Sequence, residues 1–96
     1  MRKFLDWSEV PLTPGELVAE RSGEKVELHW KPSAGAVKFD VERSDDFRPW
    51  HRIGEVKAPA AEFSKKAPSA HHATYRVRAI GATGASPWSN PAWEGQ

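Results

Sequence analysis

The side chains with the widest chemical range are few and scattered. The histidines are His29, His51, His71 and His72. A zinc site needs three or four ligands converging at about 2 Å. Here His29 faces outward beside apolar neighbours and His51 falls on a separate segment. Adjacent His71 and His72 point to opposite faces of an extended chain. Cysteine is absent, which removes thiolate ligands, a cysteine nucleophile and any disulfide framework. Serine catalysis needs a base and an orienting acid beside the nucleophile, and no Gly-x-Ser-x-Gly elbow occurs. Asp45-Asp46, with Glu42 nearby, lack the regular acidic spacing of a calcium loop and read as a solvated turn. Arg2-Lys3 and Lys65-Lys66 are isolated basic pairs without interleaved aromatics, unlike a phosphate-binding stripe. The expectation is a protein with no enzymatic activity, no metal and no cofactor.

Tryptophan is more informative. The chain has five, at positions 7, 30, 50, 88 and 93. An indole buries a large apolar area when it faces inward, and stacks on guanidinium groups or sugar rings when it faces outward. Trp30 belongs to the first kind and is the expected keystone of a core with Phe39, Val41, Tyr75 and Val77. Trp7, Trp50 and Trp88, with Arg76 and Arg78, form the candidate interaction surface.

The elements that must position these residues are strands. In 24–31, Val26, Leu28 and Trp30 alternate with Glu27 and His29. In 37–44, Val37, Phe39 and Val41 alternate with Lys38, Asp40 and Glu42; in 74–80, Tyr75, Val77 and Ala79 alternate with Thr74, Arg76 and Arg78. A period of two with one apolar face describes strands that cover a core on one side. Weaker segments, 16–21, 50–56, 61–66 and 86–92, bring the expected total to seven. Eight Pro and seven Gly punctuate them, as in a turn-rich β protein. With 96 residues the chain has room for one domain. A net charge of +1 argues against a nucleic-acid-binding protein. No apolar run long enough for a membrane helix occurs, and Asp6 and Glu9 interrupt the start before any signal-peptide core develops.

Order and spacing across residues 14–92 resemble a fibronectin type III domain. The resemblance rests on Pro14 with Leu17, Leu28-His29-Trp30, Phe39 and Val41, Tyr75-Arg76-Val77-Arg78-Ala79, and Gly84-Ala85-Ser86-Pro87-Trp88-Ser89-Asn90. It implies a seven-stranded antiparallel immunoglobulin-like sandwich, flanked by an arm or linker over 1–13 and a tail over 93–96. It also implies that the strands holding Asp40 and Arg76 are neighbours, so that Lys38, Asp40 and Glu42 face Arg76 and Arg78. The Ser-Pro-Trp-Ser stretch resembles half of the Trp-Ser repeat of cytokine receptor modules, which implies Trp88 stacked on arginine. One position departs from the pattern. Ala73 stands where the family usually carries a corner tyrosine, so its hydrogen bond is missing or replaced, with His71 or His72 as substitutes.

The resemblance implies a non-catalytic structural spacer or protein-interaction module from a larger surface, secreted or virion protein. Pro87 and Pro91 cannot donate to a ladder and so mark an edge that discourages strand addition, which makes a monomer the expectation. Its partners would be another protein or adjacent domains, and its setting extracellular or at a cell surface. The alternative is a carbohydrate-binding accessory module that meets polysaccharide through exposed tryptophan.

Overall fold

A computed structural model describes residues 11–46, 48–66 and 73–94. Those residues form strands β1 (Gly15–Ser22), β2 (Lys25–Lys31), β3 (Lys38–Asp45), β4 (His51–Lys57), β5 (Glu62–Lys66), β6 (Ala73–Ile80) and β7 (Ala92–Trp93). They build two antiparallel sheets, a three-stranded one in the order β1-β2-β5 and a four-stranded one in the order β4-β3-β6-β7. The architecture is an all-β, immunoglobulin-like sandwich.

Local sequence explains how the strands begin and turn. Gly23 and Glu24 join β1 to β2, with Ser22 paired to Lys25. Gly23 alone of the two has a positive φ, 64°. A type II′ hairpin turn asks for that at its first central residue, and glycine meets it without a steric cost. Near the start of β1 the register shifts between Gly15 and Val18, and Glu16 takes a φ of 54°. The resulting bulge turns Leu17 inward, while the Glu16 carboxylate meets Lys31 at 3.0 Å.

The core follows from the alternation. Leu17 and Ala19 of β1, Val26, Leu28 and Trp30 of β2, Phe39 and Val41 of β3, Tyr75, Val77 and Ala79 of β6, and Ala92 of β7 are buried together. Trp30 is only 6% exposed, against 39% for Trp93. Its ring meets Phe39 edge-on, with centroids 5.4 Å apart at 65°. Burying an indole contributes roughly 2–3 kcal/mol. Phe63 of β5 closes the other flank: its ring lies directly over Gly54 of β4, where no Cβ intervenes.

Three sequence expectations need correction. Val37 does not share the inward face of Phe39 and Val41. It precedes β3 and is 57% exposed, because it lies at the mouth of the sandwich, bridging Ile80 and Ala58 through its backbone. Lys38 does not face the arginines; its register partners are Ile80 and Lys57, and its ammonium reaches Glu55 at 3.1 Å. Residues 86–92 do not form one strand. Only Ala92–Trp93 enter the ladder, beside Tyr75 and Thr74. Pro87 and Pro91 carry no N–H to donate, so the chain between them follows β6 by another route. The arm up to residue 10, with Trp7, and His71 and His72 lie outside the described residues.

Candidate functional site

Period-two alternation on β3 and β6 sends Asp40 and Glu42, then Arg76 and Arg78, to the outer face of the four-stranded sheet. The register sets Asp40 opposite Arg78 and Glu42 opposite Arg76. The Arg76 guanidinium bonds Glu42 Oε1 at 2.6 and 3.0 Å. Arg78 Nε lies 3.6 Å from Asp40 Oδ2, and Arg52 of β4 reaches Asp40 Oδ1 at 3.2 Å. Arg52 and Lys38 both bond Glu55. The Lys38 hydrogen bond, then the charges of Lys38 and Arg52, hold the Glu55 carboxyl below its usual range.

Two tryptophans complete this face. Arg76 lies 4.2 Å from the Trp50 ring centroid and 4.0 Å from that of Trp88, and Arg78 lies 4.5 Å from Trp88. The order is Trp50, Arg76, Trp88, Arg78: indole and guanidinium planes in alternation, with carboxylates at the rim. Each such contact contributes about 0.5–1 kcal/mol at an exposed position and more when desolvated. All four rungs are half-buried. Trp50 reaches its rung from the turn before β4, where the Ser44 hydroxyl bonds the Arg48 carbonyl.

Trp88 is held by the two serines that flank it. Ser86 N–H donates to Ala79 O at 2.8 Å, while Ala79 N–H donates to Ser86 Oγ at 2.9 Å. Ser89 repeats the device one pair along: its N–H donates to Val77 O at 2.8 Å, and Val77 N–H donates to Ser89 Oγ at 3.0 Å. Each hydroxyl thus takes the place of a strand carbonyl and passes its own proton to Pro87 O or Asn90 O. Buried backbone groups of β6 are satisfied although no strand lies there. The three-residue spacing of the serines leaves Trp88 between them to lie over Arg76 and Arg78.

A second feature was not legible in the sequence. The Asn90 amide accepts from Leu17 N–H and donates to Leu17 O, both at 3.1 Å, which ties the segment before β7 to β1. Arg21 of β1 grips Glu94 through two bonds, 2.7 and 3.0 Å long. These contacts join residues 73 positions apart, beyond the reach of any local pattern.

The remaining candidates do not converge. His29 stands on the outer face of the three-stranded sheet, 3.9 Å from both Glu27 and Glu62. His51 is exposed at the edge of the other sheet. Among the described residues no group of three His, Asp or Glu side chains is arranged to hold a metal. Trp30, Phe39, Val41, Tyr75 and Val77 lie in the core, and Trp50, Arg76, Arg78 and Trp88 come together in the stack.

The sequence matches no protein-family model and no curated protein. Solved structures resemble it closely in shape. A Fn3-like protein from Clostridium thermocellum superposes with a TM-score of 0.76 at 22% identity, over 88% of this chain and 91% of that one. The structure of titin kinase and its flanking domains matches with a TM-score of 0.76 and 22% identity, over 88% of this chain and 16% of that one. Pectate lyase Pel3 from Pectobacterium carotovorum matches with a TM-score of 0.72 and 19% identity, over 86% of this chain and 26% of that one. The fold is that of a fibronectin type III domain.

Proposed function

We propose that this chain is a non-catalytic spacer or protein-interaction module of a larger surface, secreted or virion protein. One observation carries the reading: the chain enters the sandwich at one end and leaves it at the other. β1 starts beside the end of β2, with Gly15 paired to Lys31. β7 ends beside the start of β6, with Trp93 paired to Thr74. A unit with this layout adds its length to a string of neighbours without doubling the chain back. The outer face of the four-stranded sheet supports the same role. Its charges are neutralised within the domain, so the surface stiffens the module. The similar domains in titin and in a pectate lyase structure occupy a fraction of those longer chains, as a module does.

The test is a tandem of three copies studied by small-angle scattering and thermal melting. Expected are a maximum dimension that grows by one domain length per copy and a melting temperature equal to that of the single domain. A compact tandem that unfolds at a different temperature overturns the spacer reading.

A second reading, contact with a glycan through tryptophan, is favoured by one feature: the Trp50 ring, stacked on Arg76, is half-buried on the outer face of the four-stranded sheet.

A further inference from the structure

The contacts that join the two ends of the chain share one offset. Asn90 meets Leu17 and Glu94 meets Arg21, each pair 73 positions apart. A step along one segment is therefore matched by an equal step along the other, so β1 and residues 90–94 lie side by side and run in the same direction. The named ladders all run the opposite way, strand against antiparallel strand. β1 and β7 belong to different sheets, and side chains fasten them. At one end the Asn90 amide bonds both the N–H and the carbonyl of Leu17. At the other the Arg21 guanidinium takes both oxygens of Glu94, the two-pronged pairing for which its planar fork is suited.

This layout matters when the chain is pulled by its ends. Tension draws β1 toward the pole where Gly15 meets Lys31, and draws β7 toward the opposite pole, where Trp93 meets Thr74. Neighbouring segments that run the same way then slide along their common axis, and both fasteners are strained together. Antiparallel end strands would leave from one pole and peel apart one contact at a time. Neither end can leave alone, because β1 cannot quit β2, nor residues 90–94 quit β6, without breaking both Asn90–Leu17 and Arg21–Glu94. We propose that β1 and residues 90–94 form a shear lock through which the module bears tension along the chain. The proposal rests on the spacer reading and adds a load to it.

Stretching single molecules of the full chain between two handle proteins tests this. The readout is the lifetime at constant force, since forced unfolding is governed by the unfolding rate. Asn90→Ala should shorten the lifetime about tenfold, the worth of two hydrogen bonds. Glu94→Gln should shorten it too, and should remove the dependence on salt that screening of the ion pair gives the parent. Gly54→Ala, which disturbs the packing of β4 against β5, should leave the lifetime nearly unchanged at a comparable loss of equilibrium stability. The chain has no cysteine, so Glu24→Cys supplies a single alternative anchor, in the turn close to Arg21. Load between that anchor and the C-terminal end opens the lock from the Arg21–Glu94 side first, and the lifetime should be shorter than under the same force applied end to end. Equal lifetimes in the two directions, or equal shortening by Gly54→Ala and Asn90→Ala, overturn the proposal. With a tandem that scatters as an extended string, either result overturns the lock alone and keeps the spacer reading; a compact tandem overturns both.

Discussion

Tyr75 shows how one buried side chain ties stability to pH. It is the chain's one tyrosine and is almost wholly buried. Burial pushes its phenol above the usual 10.0, with the charge of Arg43, its cross-strand partner, acting in the opposite direction. The unfolded phenol therefore loses its proton first as the pH rises. The contribution to stability is complete below about pH 10 and is lost as the pH climbs through the folded value. Tyrosinate absorbance should appear above pH 10.0 and in step with unfolding, and Tyr75→Phe should flatten the alkaline limb of the stability profile. An absorbance that rises at the ordinary phenol pKa while the protein stays folded would contradict this.

At the level of elements, two contacts between strands make quantitative tests. The first is the pair of serines beside β6. Ser89→Ala leaves the buried Val77 N–H without its acceptor, which should cost about 1–3 kcal/mol. The signature is local: amide exchange at Val77 should accelerate more than exchange at Val41, the residue opposite it on β3. Ser86→Ala should do the same at Ala79. Uniform acceleration through the sheet would mean that the serines act only on global stability. The second contact is between β4 and β5. A Cβ on Gly54 would stand 2.6 and 2.7 Å from two atoms of the Phe63 ring. Gly54→Ala should therefore destabilise by about 1–3 kcal/mol, the usual range for overpacking. Phe63→Leu in the same chain should recover part of the loss, as denaturant midpoints would show. Additive losses in the double variant would place the cost of Gly54→Ala elsewhere.

The whole molecule has to protect its sheet edges, and it does so differently on its two sides. On the β1–β7 side, Asn90 and the Arg21–Glu94 pair fasten the edges together, while Pro87 and Pro91 present no donors. On the other side β5 is short, and Lys65 stands opposite buried Val26, where an inward apolar residue would otherwise continue the core. A lysine in that place discourages a second chain from extending the sheet. The protein should sediment as a monomer at micromolar concentration, and Lys65→Val should introduce concentration-dependent association. A variant that stays monomeric would show that this lysine does not guard the edge.

Alternation and Pro and Gly punctuation were enough to read short one-faced strands and the inward placing of Trp30, because a period of two is written residue by residue. The sandwich and the facing of Asp40 and Glu42 with Arg76 and Arg78 came from the resemblance to a fibronectin type III domain, since the pairing of β3 with β6 joins strands that are not consecutive in the chain. Tertiary structure decided the rest. Val37 obeys the alternation and is exposed, because burial depends on whether the opposite sheet extends that far. Residues 86–91 have the content of a strand, yet serine hydroxyls supply acceptors that a strand would take from its backbone. The sequence put Trp50 among the surface candidates but gave no sign that it stacks on Arg76, which is 26 positions away and meets it only once β3 has brought β4 and β6 to its two sides. Side-chain hydrogen bonds and ring stacking need atoms within a few ångströms, and for residues distant in the chain only the packed fold sets those separations.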